Sequence, residues 1–230
     1  MLLLAAARGA LAFAPSLGER SRGARPAALA AKKARKKRGV SGPPARAELP
    51  EGAARPKLVV FDLDNTLWTP ELHTLRKQPK AGKDVTLCGG AVDALFDLAT
   101  GDGWRATSAA VASRAEEKAW AEALLEAFEV EGRTAASLLP HREIYPGSKT
   151  KHFRALSEST GVGFEDMLFF DDYTANLGDV TQLGVLCVHT PRGLTRDHWV
   201  GGLKAYALLK SRGTKFMGRM FSTADLGELA

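Results

Sequence analysis

Lys57-Leu-Val-Val-Phe-Asp-Leu-Asp-Asn-Thr-Leu-Trp68 is the stretch from which the rest of the chain is read. Residues 58–61 are a short apolar run, rich in β-branched side chains and long enough for a buried parallel strand. The run ends abruptly in Asp62 and Asp64, with Thr66 two further on. Residues i and i+2 of an extended chain point the same way, so both acids face one crevice. In an open α/β sheet, ligands bind outside the carboxyl ends of the strands. Two like charges held together there are costly unless a cation joins them or one keeps its proton.

Three readings compete for this stretch. A strand followed by a polar turn is the plainest. A calcium loop requires a Gly at position six and an acid at position twelve; Leu67 and His73 stand there, so that reading fails. The third is an aspartyl nucleophile motif, Asp-x-Asp-x-Thr behind an apolar strand, and it depends on partner groups further along the chain.

A chain of 230 residues suggests one domain with extensions. The net charge of +6 belongs to the N-terminus: residues 1–57 carry 13 Lys/Arg against 3 Asp/Glu, and the remainder 19 against 23. A mildly acidic folded part argues against nucleic-acid binding, which needs a basic face on the domain itself. Cys88 and Cys187 form no metal-type pair and no disulfide framework.

Residues 1–15 open with an apolar stretch too short and interrupted for a membrane span. An Arg- and Lys-rich, acid-poor segment extends to residue 38, the composition of an organelle-targeting presequence. The Ala12-Phe-Ala-Pro15 piece is similar to the signal/transit junction of plastid preproteins, so the expected address is the plastid, and otherwise the cytoplasm. Residues 32–38 also read as a nuclear signal. Four prolines in residues 39–56 read as a flexible linker. The expected division is 1–56 as presequence and linker, 57–212 as the catalytic domain, and 213–230 as a tail.

After Trp68, residues 69–90 read as a small flap, too short for a capping domain. Residues 91–99 are an amphipathic helix ended by Gly101-Asp-Gly103. Residues 104–112 are the second strand despite alanines of poor β-propensity, with Ser113 at its end. Residues 114–128 place Trp120, Leu124 and Phe128 on one helical face. Taken alone, Ser113 is a helix cap. In His141-Arg-Glu-Ile-Tyr-Pro-Gly-Ser-Lys149 a short strand turns into a helix capped by Ser148, running to Gly161. Lys149 falls in the first turn, where the helix dipole disfavours a cation, so an anion is expected beside it. Asp166-Met-Leu-Phe-Phe-Asp-Asp172 again delivers paired acids from an apolar strand, and oxygen ligands of this kind suit Mg²⁺. Asn176 lies one helical turn beyond Asp172. Residues 184–189 read as the last strand and 194–209 as the final helix. None of the five histidines has metal-pair spacing, which leaves them structural or on the surface.

Asp62-x-Asp64-x-Thr66, Ser113, Lys149 and Asp171-Asp172 therefore stand in order. This set resembles the haloacid-dehalogenase superfamily and, more narrowly, its small, capless magnesium-dependent phosphatases. The phrases that carry the likeness are 61–68, Ala112-Ser-Arg114, Arg142-Glu-Ile-Tyr-Pro-Gly-Ser-Lys149, Phe169-Phe-Asp-Asp172 and Leu183-Gly-Val185, within residues 57–199. The chain departs from the pattern at Tyr173, where Glu is common, at Ala175, where Arg is common, and at Ala115, where Thr is common.

The resemblance implies a three-layer, Rossmann-like α/β fold with a parallel sheet and no large cap. It implies an Mg²⁺-dependent phosphatase with Asp62 as nucleophile, ionised at its free pKa of about 3.9, and Asp64 as general acid and base. The metal would be held by Asp62, Asp172 and the main-chain carbonyl of Asp64, with Asp171 assisting. Thr66, Ser113, Arg114 and Lys149 would hold the phosphoryl group. The expected partner is a phosphorylated small molecule or a phosphoprotein, with phosphotyrosine among the candidates; a monomer is expected, with no nucleic acid. The competing class is a catalytically idle binding module on the same fold.

Overall fold

The structure, a computed structural model, describes residues 46–228. The presequence reading, including the plastid address and residues 32–38, lies outside them.

Strand β1, Leu58–Phe61, is fully buried along its whole length, which a parallel strand covered on both faces requires. Fully burying side chains of this kind contributes roughly 1.5–3 kcal/mol each as an upper estimate, which makes β1 the natural centre of the sheet. The flap follows as a two-residue hairpin, β2 (Trp68–Thr69) with β3 (Thr86–Leu87), enclosing a 3-10 turn at Leu72–Thr74. Helix α1 is Gly89–Thr100. The second sheet strand, β4, is Ser108–Ser113. Trp104 is not in it: that ring sits in a 3-10 turn and stacks on Trp199 with centroids 5.2 Å apart. The alanines of β4 form a strand because burial on both faces overrides propensity.

Helix α2 is Lys118–Ala127, shorter than expected, because residues 114–117 turn along the sheet edge first. A small hairpin, β5 (Glu129–Val130) with β6 (Arg133–Thr134), and the short helix α3 (Ala135–Leu138) lead to β7, His141–Ile144. Helix α4, Lys149–Thr160, ends at Gly161, whose φ of 69° is the left-handed cap that glycine adopts without strain. Then come β8 (Met167–Asp171), α5 (Thr174–Thr181), β9 (Leu186–His189) and α6 (Arg196–Ser211).

The strand expected to be last is not. A two-residue strand, β10 (Met220–Phe221), pairs with β9, and α7 (Thr223–Glu228) follows. Phe216 and Leu226 are buried against the core. The domain therefore runs past residue 212, and 213–228 is no tail. At the other end, Ala47 and Leu49 pack on the core and Ala47 N–H donates to the Asp97 carboxylate, so 46–56 is not a free linker.

The sheet has six parallel strands in the order β10-β9-β8-β1-β4-β7. Alternate residues feed two layers. Val59, Phe61, Val111, Phe170 and Val188 join residues of α1, α2, α3 and α6. Leu58, Val60, Ala110, Ala112 and Phe169 join Phe153 and Leu156 of α4 and Leu177 and Val180 of α5. The chain runs outward from β1 through β4 to β7, then returns to β8 on the other side of β1. The switch point is thus at the carboxyl ends of β1 and β8, where Asp62 and Asp171 stand.

Candidate active site

Lys149 begins α4. The turn before it needs Gly147, at φ 139°, and Ser148 then caps the helix through Thr150 N–H. So aimed, the lysine enters the edge of the sheet with 2 % of its surface exposed. Its Nζ donates to Asp62 Oδ1 at 2.6 Å, to Asp171 Oδ2 at 3.1 Å, and to the Ala112 carbonyl. The cation that the helix dipole disfavours is held by two carboxylates, as its position in the sequence predicts.

Asp62, Asp171 and Asp172 each place a carboxylate oxygen within 4.8 Å of the others. Asp171 is fully buried, and Oδ1 accepts from Tyr173 N–H at 2.7 Å while Asn176 Nδ2 donates to both oxygens at 3.1–3.2 Å. Asn176 therefore serves Asp171 rather than Asp172.

One lysine among three carboxylates leaves the pocket net negative, and each shifted group in it holds its proton more tightly. Burial pushes Asp62 up to about 7; Lys149 opposes this, and Asp171 and Asp172 add to it. Burial and the Asp171 charge raise Asp172 to about 6. Burial by itself would lower Lys149, but the Asp62 and Asp171 charges outweigh it and hold the lysine above its ordinary value. The expectation that Asp62 is ionised at its free value is therefore not met by the protein groups alone. An all-oxygen cluster short of positive charge fits a hard divalent cation, which would reverse these shifts.

Asp64 lies apart from the cluster. Trp68 Nε1 and Leu72 N–H both donate to its Oδ1, at 2.7 and 3.3 Å, so the flap grips one oxygen of this carboxyl. Burial raises Asp64 above its usual range against those two donors.

Ser113 ends β4 and is buried; its Oγ accepts from Ala115 N–H at 3.3 Å. It caps no helix, since α2 begins only at Lys118. Arg114 is exposed beside it, with Nη1 3.4 Å from Asn176 Oδ1. Asp62, Asp64, Ser113, Arg114, Lys149 and Asp172 all line one cleft of about 450 Å³, together with Glu71, His73, Tyr173 and Asn176. Among the described residues, hollows of about 380 and 440 Å³ also open near Trp104 and near Phe216; they are of similar size, but the acids and the lysine line the 450 Å³ cleft.

Thr66 is a correction. It is fully buried, is absent from the cleft lining, and shares a hydrogen bond with the hydroxyl of Thr190 at 3.3 Å. It ties the loop after β1 to the end of β9, and its hydroxyl does not line the cleft where the phosphoryl group is expected. Unforeseen in the sequence were Asn65, whose amide donates to the Glu71 carboxylate, and Glu71 and His73 of the flap, paired at 3.1 Å. Asn65 at φ 53° bears a residue type that tolerates the left-handed region, a signal that was there to read.

Strand order, the acids at the switch point and the lysine facing them define the class: a hydrolase of the haloacid-dehalogenase superfamily. Within that class, the family described as Acid Phosphatase matches residues 54–208, and the chain belongs to it. It is 38% identical over 168 residues to human magnesium-dependent phosphatase 1, covering 67% of this chain and 89% of that protein. It is 29% identical over 147 residues to a HAD-like hydrolase superfamily protein of Schizosaccharomyces pombe, covering 56% and 83%. A solved haloacid dehalogenase-like family hydrolase from Xanthomonas campestris is 13% identical, covers 70% of this chain and 100% of its own, and superposes with a TM-score of 0.49. That likeness adds nothing to the assignment. Among the described residues, no helix is long and apolar enough to cross a membrane.

Proposed function

We propose that the protein hydrolyses phosphate monoesters in the presence of Mg²⁺ through a phosphorylated Asp62. The observation that carries this is the Asp62–Asp171–Asp172 cluster against buried Lys149. Asp62, Asp172 and the main-chain carbonyl of Asp64 would hold Mg²⁺, with Asp171 orienting the set from behind. When bound, the ion neutralises phosphoryl charge that would otherwise repel a carboxylate nucleophile.

Lys149 and Ser113 hold the phosphoryl oxygens, and Arg114 guards the rim. An Asp62 oxygen attacks phosphorus, and the bond from phosphorus to the leaving oxygen breaks. Asp64 supplies the proton that the leaving oxygen takes, then removes one from the water that hydrolyses the aspartyl-phosphate. Its proton affinity is raised by burial, the direction a proton donor needs, and both flap donors sit on Oδ1, which leaves Oδ2 for the proton. Arg114 and Tyr173 at the rim of the cleft are exposed. That openness keeps phosphotyrosine in a protein chain within the substrate range beside small phosphate esters.

Para-nitrophenyl phosphate hydrolysis tests the reading. Wild type should turn over with Mg²⁺ and fall silent in EDTA; Asp62→Asn should fold and bind but not turn over. Activity indifferent to chelator, or retained in Asp62→Asn, would overturn it. Phosphate release from sugar phosphates and from phosphotyrosine peptides then separates the two substrate classes.

A further inference from the structure

His189 ends β9 in register with Asp171 of β8. The last rung between these strands is Thr190 N–H to the Asp171 carbonyl, at 2.9 Å. Past that rung the chain turns toward α5, and the Asp172 carbonyl has run beyond the ladder. The His189 ring takes over there: its Nε2 lies 3.0 Å from the Asp172 carbonyl oxygen. A carbonyl only accepts, so Nε2 carries the proton and donates. The same strand end is anchored below by the Thr66–Thr190 hydroxyl pair, both residues fully buried. Asp172 is therefore gripped at its main chain from β9, while its carboxylate stands within 4.8 Å of Asp62 and Asp171.

We infer that His189 is a positioning residue for the divalent cation: by holding the Asp172 carbonyl, it keeps the Asp172 carboxylate where an ion shared with Asp62 needs it. The inference rests on the proposed role of Asp62 and Asp172 as Mg²⁺ ligands. Partners that orient metal ligands typically change metal affinity by about 10–100-fold when removed. His189 acts through the main chain rather than on the carboxylate, so the low end, about tenfold, is expected. The site does not call on the ring as a ligand, which accounts for a strand-end histidine without metal-pair spacing.

The test is calorimetric titration of Mg²⁺ into metal-free full-length protein: wild type, His189→Leu, His189→Phe and His189→Gln. Leu and Phe remove the donor, and Phe keeps the bulk of the ring if the Leu variant fails to fold. Gln keeps an N–H that can reach the same carbonyl. The expected result is a Kd about tenfold weaker in the Leu and Phe variants and within about threefold of wild type for Gln. Melting in EDTA provides the second readout, since a merely structural histidine would lower Tm and leave the Kd of the folded protein alone. Wild-type affinity in the Phe variant, or a Gln variant as weak as Phe, would overturn the positioning role while leaving the metal site standing. Wild-type protein that takes up no Mg²⁺ would overturn the metal reading, and this inference with it.

Discussion

Replacing Lys149 with Met fills nearly the same volume and removes only the charge and its hydrogen bonds. The side chain is 1% exposed and lies 2.6 and 3.1 Å from the Asp62 and Asp171 carboxylates, so its loss leaves two largely buried acids facing each other. Breaking one side of a buried ion pair costs about 3–5 kcal/mol. For a domain of this size, each kcal/mol moves Tm by about 2–4 °C, so the variant should melt roughly 6–20 °C lower, measured in EDTA so that no ion substitutes for the lysine. Asp62→Asn in the same background relieves the repulsion. The double variant should recover at least about 1 kcal/mol of the loss, a coupling well outside additivity. Turnover should fall by about 10²–10³ or more in Lys149→Met, because the group proposed to stabilise phosphoryl charge is gone. A single variant within about 1 kcal/mol of wild type, or additive effects within about 0.5 kcal/mol, would refute the account of the cluster.

Thr66→Val should cost about 1 kcal/mol of stability and leave KM for para-nitrophenyl phosphate unchanged, whereas Ser113→Ala should lower kcat/KM by about tenfold or more; equal kinetic damage from both would return Thr66 to the phosphate site. His152 is fully buried, and burial lowers it to about 4. The unfolded chain therefore takes a proton near pH 6.5 that the native protein refuses until about pH 4. Its contribution is intact above 6.5 and is lost as pH falls toward 4, by up to about 3 kcal/mol. Urea unfolding of wild type and His152→Gln across that range should show the difference shrinking in the variant, and parallel curves would count against it. Ending the chain at residue 212 removes β10 and two buried side chains, Phe216 and Leu226, and should cost about 3–6 kcal/mol; an unchanged Tm would mean that this segment only rests on the domain.

Most of the chemistry was written in short apolar runs that stop at acids. Residues 58–62 and 166–172 each read as a buried strand with carboxylates at its end, and the sheet puts both at one switch point. Lys149 was legible because a cation in a first helical turn asks for an anion. What escaped was long-range. Met220-Phe221 is too short to show a period, and only its pairing with β9 makes it a strand. Thr66 fits its motif, yet its hydroxyl is claimed by a residue 124 positions away. Arg114 to Glu117 carries helical periodicity but is held along the cleft rim, so α2 starts late. His189 offers no spacing signal, because its partner is a main-chain oxygen.

The indole of Trp68 rests its N–H on Asp64 at 2.7 Å, with its ring buried beside that of Phe128 at 6.2 Å. A carboxylic acid and its conjugate base quench indole emission differently. The chain thus carries a built-in fluorophore hydrogen-bonded to the carboxyl proposed to handle the proton, and the part of the emission lost in Trp68→Phe should follow that group's ionisation without any label.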